Sequence, residues 1–279
     1  MLRTIRKKLR SLIPLALYPY ILAPRHRRYR RNAIRELEAE DRKYLEANPG
    51  TVAPGAELRF NVVGPCSIAW FLDAGRRTAD DIHAACAKAG YELQGAFRAL
   101  DFGCGCGRLL IEAVRRWPQA RWVGSDVDPK GVRWCAENLP GVTSIVNEHA
   151  PPLPFEDGEF DLVWCGSVFS HLDEARQDAW LAELLRAIKP GGHLLASVHG
   201  PSSFEGLKLP ERVIERIRKD GFLFLRTGFD EGVHPDWYQT AYHTPEYIEK
   251  HWGAYGRIAA YIPQGLNGYQ DIVVVKKAG

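Results

Sequence analysis

Apolar and polar positions change rhythm several times along the chain, and the changes mark its elements. NAIRELEAEDRKYLEA, residues 32–47, reads as a charged helix, and the prolines and glycines of NPGTVAPGAELRF break it. From Cys66 onward, helical and strand patterns alternate. TADDIHAACAKAG predicts a helix with Thr78 as its N-cap, and AFRALDFG predicts a short buried strand ending in glycines. RLLIEAVRRW is then a helix, RWVGSD a strand, PKGVRWCAENL a helix opened by Pro129, VTSIVN a strand, and FDLVWCGSVF a continuous apolar strand. DEARQDAWLAELLRAIKPGG places leucine and alanine at helical spacing up to a Pro-Gly-Gly stop, and HLLASVH follows as a strand.

Strands alternating with helices predict an α/β domain whose mainly parallel sheet is covered on both faces, with ligands at the carboxyl ends of the strands. Beyond Gly200 the pattern loosens. PERVIERIRKDG is a helix, GFLFLRTGF and DWYQTAYHT are strand-forming pieces of an insertion over the site, and TPEYIEKHW is a helix capped by Thr244. RIAAYIPQG and QDIVVVKK pair as a closing antiparallel hairpin. The expected organisation is an N-terminal arm and helix over 1–48, a linker over 49–65, and one domain over 66–279 with its insertion near 201–243.

At 279 residues, 46% apolar and 25% charged, the chain suits a soluble globular protein with a substantial core. The distribution of charge adds more. Residues 1–31 hold ten Lys or Arg and no acid, which leaves 27 basic residues against all 34 acids in the rest of the chain. The net +3 therefore comes from the arm alone, and an anionic partner is expected for it. Leu12 to Ala23, between the basic clusters, is apolar but shorter than the roughly 20 residues of a spanning helix, and Pro14 and Pro19 interrupt it. A poor cleavage site argues against a signal peptide. The expectation is an arm lying on an anionic membrane surface, with a helical cap packed on the domain as the alternative and nucleic acid third. Six cysteines without framework spacing fit reduced thiols, hence a cytoplasmic protein, peripheral at the inner membrane face if the arm binds lipid.

The candidate chemistry begins at LDFGCGCGRLL, residues 100–110. Gly103, Gly105 and Gly107 follow a strand and precede a helix, so backbone can approach a ligand and the first helical amides can meet its polar groups. A dinucleotide fingerprint requires glycine where Arg108 stands, and the Walker lysine is missing. Cys104 and Cys106 have no second pair at zinc spacing, so no metal is expected. His171 in SVFSHL and His199 in SVHG follow two strands and are candidates to accept a proton; the alternative is that each bonds a neighbouring carbonyl and orders a loop. His243 on the insertion is a third candidate. Phe169, Trp237 and Tyr242, with Phe229 and Tyr238, are candidates for an aromatic wall against the acceptor or the underside of a lid.

LDFGCGCGRLL resembles the first motif of class I S-adenosylmethionine-dependent methyltransferases (type 11/25-like), and further segments fall in that family's order. WVGSDVDP ends a second strand in an acid, PPLPFEDGEFDLVWCGSVFSHL resembles the run along the fourth strand, and LLRAIKPGGHLLASVHG the helix, turn and fifth strand. The resemblance covers residues 66–200 well and 240–277 more loosely. It implies a Rossmann-like, doubly wound, seven-stranded sheet and S-adenosyl-L-methionine as cofactor. It implies Asp101 at the methionine end, Gly103, Gly105 and Gly107 as floor, Asp126 on the ribose and Val127 beside the adenine. Asn147 or Glu148 would reach the adenine, and Cys165 and Gly166 would line the cofactor. The implied activity is methyl transfer to a small-molecule or glycan acceptor, with a hydroxyl expected and a membrane-linked saccharide as its sharper form. A nicotinamide oxidoreductase and a non-catalytic cofactor-binding module are the competing classes.

Overall fold

The computed structural model describes residues 18–225 and 238–279. Helix α1 (Tyr18–Ala47) takes in the predicted charged helix and extends it toward the N-terminus. Pro19 falls in its first turn, where the missing N–H has no helical partner to lose, so it does not interrupt the helix. The basic cluster over 3–10 and the first half of the apolar stretch, 12–17, lie outside the described residues. No helix among the described residues is long and apolar enough to cross a membrane.

The stretch read as a linker contains a helix, α2 (Ala56–Val63), which packs against α1. Its Arg59 is fully buried and pairs with Asp41 of α1. Helix α3 (Ile68–Lys88) starts ten residues before the predicted Thr78 cap. Ser67 is the actual N-cap, accepting from the Trp70 amide, and Thr78 lies mid-helix with its hydroxyl on the Ala74 carbonyl. The buried positions Phe71, Ala74, Gly75, Thr78, Ala79, Ile82, Ala85 and Cys86 repeat at helical spacing and bury one face.

The domain then runs β1 (Arg98–Phe102), α4 (Leu110–Arg116), β2 (Arg121–Asp126), α5 (Pro129–Asn138), β3 (Thr143–Val146), β4 (Phe160–Cys165), α6 (Glu174–Ala187) and β5 (Ile188–Val198). Helix α6 ends before Pro190, as the sequence indicates, but the Pro-Gly-Gly turn belongs to β5 as an irregularity in its pairing with β4. After α7 (Pro201–Gly206) and α8 (Glu211–Asp220), β6 (Phe222–Leu225) and β7 (Thr240–His243) pair as a separate antiparallel ribbon. Helix α9 (Pro245–His251) is capped by Thr244 as expected, and β8 (Arg257–Leu266) and β9 (Gln270–Lys276) form the closing hairpin.

The seven-stranded sheet has the order β3-β2-β1-β4-β5-β9-β8, parallel except for β9, which runs antiparallel to both neighbours. This is the Rossmann-like, doubly wound arrangement that the sequence implies. Alternation sends Leu100, Val163 and Leu194 to a core with Leu181 and Leu184 of α6. Ala99, Leu162 and Leu195 face a second core with Ile82 of α3 and Leu110 of α4. The strand order reverses between β1 and β4, so a crevice opens outside their carboxyl ends.

Candidate active site

Strand β1 carries Asp101 to that crevice, and the chain turns through Gly103, Gly105 and Gly107, all at positive φ. A side chain at Gly105 would strike Val62 of α2, and one at Gly103 would strike Val168, so the loop is closely covered. Two glycines outside the motif let helices close on it. A Cβ at Gly131 of α5 would lie 2.5 Å from the Gly105 carbonyl oxygen, and one at Gly75 of α3 would lie 2.3 Å from that of Arg108. Neither glycine was singled out from the sequence.

Asp101 is 3% exposed, and among the described residues nothing hydrogen-bonds to its carboxyl. Burial pushes that carboxyl up to about 7, against the pull of Arg108 and with a further rise from Asp126. A buried acid held in this way gains most from a cation placed beside it. The Asp126 carboxylate is fixed from two sides, Oδ2 accepting from the Gly105 amide at 2.7 Å and Oδ1 from the Asp128 amide at 2.8 Å. Burial raises its pKa, opposed by those amides. The Val127 amide faces the carboxylate as well, and the remaining lone-pair positions of the carboxylate can accept from a hydroxyl. Val127 stands beside it, 41% exposed although apolar, as suits a surface for a flat ring.

Asn147 spends its side chain within the fold, Oδ1 accepting from Ser125 Oγ and Nδ2 donating to the Glu148 carbonyl, while the Glu148 side chain is exposed. Cys165 is buried at the end of β4, with its thiol held neutral by burial, and Gly166 follows it half-buried. All six cysteines are free and buried. Cys104 and Cys106 are buried within the glycine turn.

His171 lies half-buried in the short turn after β4. Its Nδ1 is 2.7 Å from the Gln239 carbonyl oxygen, and its ring stacks on Tyr238 at 4.5 Å. A carbonyl only accepts, so Nδ1 carries the ring proton and Nε2 the lone pair. His199 directly follows β5 and lies next to His171, with ring centroids 5.9 Å apart, and burial pushes its pKa down to about 4.

Three acceptor-side assignments need correction. His243 is fully buried, with Nε2 3.0 Å from Gln177 Oε1 and the ring against Phe222 and Trp252, so it holds β7 to the body of the domain. Phe169 is fully buried against Trp252 because the turn after β4 tucks its ring into the core. Tyr242 is 3% exposed and packs with Phe204 and Leu223 beneath the ribbon. Trp237 and Phe229 lie outside the described residues. Sequence reading missed Ser167, Ser197, Gln239 and Gln270, which surround the two histidines. The one available signal was the polar pair Gln270-Asp271 at the head of the apolar run IVVV.

A family described as "Methyltransferase domain" matches residues 99–192. A phthiotriol/phenolphthiotriol dimycocerosates methyltransferase of Mycobacterium ulcerans is 34% identical over 117 residues, covering 40% of this chain and 41% of that one. A trans-aconitate 2-methyltransferase of an Azoarcus species is 34% identical over 127 residues, covering 44% and 46%. The chain thus spans under half the length of these two relatives. The crystal structure of magnesium protoporphyrin IX methyltransferase from Synechocystis, with bound S-adenosylhomocysteine, has the same fold. Its TM-score is 0.51 at 21% identity, over 79% of this chain and 92% of that one.

Proposed function

The chain belongs to the class I S-adenosylmethionine-dependent methyltransferases, and from that premise we propose that it methylates an oxygen, a hydroxyl in the first instance, on a small-molecule or glycan acceptor. The residues present fit the cofactor. Asp101 offers an unpartnered buried carboxyl to its ammonium group, Asp126 a fixed carboxylate to its ribose diol, and Val127 an apolar face to its adenine. The glycine loop adds no side chain of its own at 103, 105 and 107, where Val62 and Val168 already approach the backbone. When bound, the sulfonium supplies an activated methyl group whose bonding electrons leave with sulfur. The protein's part is to align the acceptor oxygen, exclude water and take the proton.

The observation that carries the reading is the hydrogen bond from His171 Nδ1 to the Gln239 carbonyl, which assigns the lone pair to Nε2. His171 accepts the proton of the acceptor hydroxyl as the new carbon–oxygen bond forms. An extract screened with methyl-labelled S-adenosylmethionine identifies the acceptor. His171→Asn is expected to cut label transfer about 10²- to 10⁴-fold while S-adenosylhomocysteine affinity stays unchanged. Equal transfer removes His171 from the base role.

The arm gives the acceptor a place. Ten basic residues over 1–31 fit an anionic membrane surface at the cytoplasmic face, which favours a membrane-linked saccharide. Deleting residues 1–31 should release the protein from anionic vesicles and leave cofactor affinity intact; undiminished vesicle binding rejects this placement.

A further inference from the structure

The side chain of Gln270, the first residue of β9, is 4% exposed and is the hub of a buried polar network. Its Oε1 accepts from Ser197 Oγ at 2.7 Å and from Ser167 Oγ at 2.9 Å. Its Nε2 lies 3.0 Å from His199 Nε2 and 3.4 Å from Ser170 Oγ. Hydroxyls can donate or accept, so they do not by themselves orient the amide; the Ala241 carbonyl facing His199 Nδ1 does, because a carbonyl can only accept. His199 Nε2 is therefore the acceptor, its lone pair is used, and the ring proton sits on Nδ1. That nitrogen faces the Ala241 carbonyl without forming a hydrogen bond of good geometry.

The network also reaches His171. Ser167 is a non-glycine residue at φ 59°, a left-handed conformation that its surroundings must hold in place. Its hydroxyl donates to Gln270, its amide donates to Ser197 Oγ at 2.7 Å, and its carbonyl accepts from the Tyr238 hydroxyl at 3.3 Å. Tyr238 is the ring stacked on His171, and the next residue, Gln239, supplies the carbonyl that holds His171 Nδ1.

We propose that Gln270 is the positioning residue of this site: it occupies the lone pair of His199 and, through Ser167 and Tyr238, sets the ring of His171. This rests on the reading of His171 given above, but the network itself needs no cofactor. The other groups facing the two rings are Tyr242 from β7 and Tyr269 ahead of β9, each within 6 Å of the His199 centroid. Burial raises the pKa of both phenols, so they stay neutral near pH 7.

The test is nitrogen-15 NMR of the histidine rings in the full chain at pH 7. In the native protein, His199 should carry its proton on Nδ1. In Gln270→Glu, the new carboxylate accepts from His199 Nε2, so the ring proton moves there and the His199 pKa rises by about 1 to 3 units. In Gln270→Leu, the ring resonances of His171 should shift, while those of His251, which pairs with Asp178, stay in place. A native His199 protonated on Nε2 overturns the proposal even if neither variant folds. His171 resonances indifferent to Gln270→Leu overturn its second half. Calorimetry with S-adenosylhomocysteine on the native sample separates the two readings. Tight binding with the wrong tautomer rejects only the positioning role, and no binding rejects the cofactor reading while the tautomer still decides the network.

Discussion

Nη2 of Arg59 lies 2.8 Å from both carboxylate oxygens of Asp41, with the arginine side chain wholly out of solvent. The same guanidinium donates to the carbonyls of Pro54 and Cys66, so one side chain joins α1, α2 and the start of α3. Arg59→Ala leaves a carboxylate and two carbonyls without their donor. Urea unfolding should show a loss of about 3–5 kcal/mol. Pairing Arg59→Met with Asp41→Leu should recover most of it, because the apolar pair avoids the cost of a buried unpaired charge. A loss below about 1 kcal/mol in the alanine variant would mean that the pair behaves like an exposed one.

Gly131 is the second point of leverage. Glycine to alanine within a helix ordinarily stabilises by up to about 1 kcal/mol. Here the new methyl would lie 2.5 Å from the carbonyl oxygen of Gly105, which is backbone and cannot rotate away. Gly131→Ala should therefore destabilise by about 1–3 kcal/mol and, by displacing the glycine loop, weaken S-adenosylhomocysteine binding. Thermal melting and calorimetry read the two effects. A stabilised variant would show that α5 can draw back from the loop.

Acidification should unfold the protein in a defined window. Burial pushes His243 down to about 3, and His199 and His193 to about 4, whereas an unfolded imidazole titrates near 6.5. Between about pH 4 and 6.5 the unfolded chain therefore binds more protons, and stability rises with pH. Asp101, pushed up to about 7, acts in the opposite sense between about pH 4 and 7, where the folded chain keeps a proton that the unfolded chain has released. Asp126 and Asp81, also raised by burial, act with Asp101, whereas Glu183, held low by its hydrogen bond from Arg186, acts with the three imidazoles. Unfolding midpoints measured from pH 7 to 4.5 should fall, His243→Gln should flatten the fall, and Asp101→Asn should steepen it. A rise on acidification contradicts these assignments.

The parallel core was legible because each strand announces itself as a short apolar run and each helix by its repeat. The glycine loop was legible because close backbone approach demands glycine in a fixed pattern. Helix α3 was misplaced because its first turns, IAWFLDAG, are apolar without a polar face, so the polar run after Thr78 looked like the start. The α2 segment read as a linker because its polar residues, Arg59 above all, are buried through pairing that no local pattern shows. On the acceptor side, histidines and aromatics looked alike in the sequence. Only tertiary packing separates His171, half-buried in the turn after β4, from His243, which is sealed beneath the ribbon. Gln270 shows in the sequence only as a polar residue heading an apolar run, because its partners come from positions 167, 170, 197 and 199.

The central claim is that the crevice at the carboxyl ends of β1 and β4, with Asp126 of β2 beside it, takes an adenosyl group joined to an amino acid. Isothermal titration with S-adenosylhomocysteine on the native chain and on Asp126→Ala tests it directly. One molecule should bind per native chain, and the variant should bind roughly 10- to 100-fold more weakly, since it lacks the carboxylate proposed to hold the diol. Equal affinity in the two proteins, or binding of NAD in place of S-adenosylhomocysteine, would contradict the account.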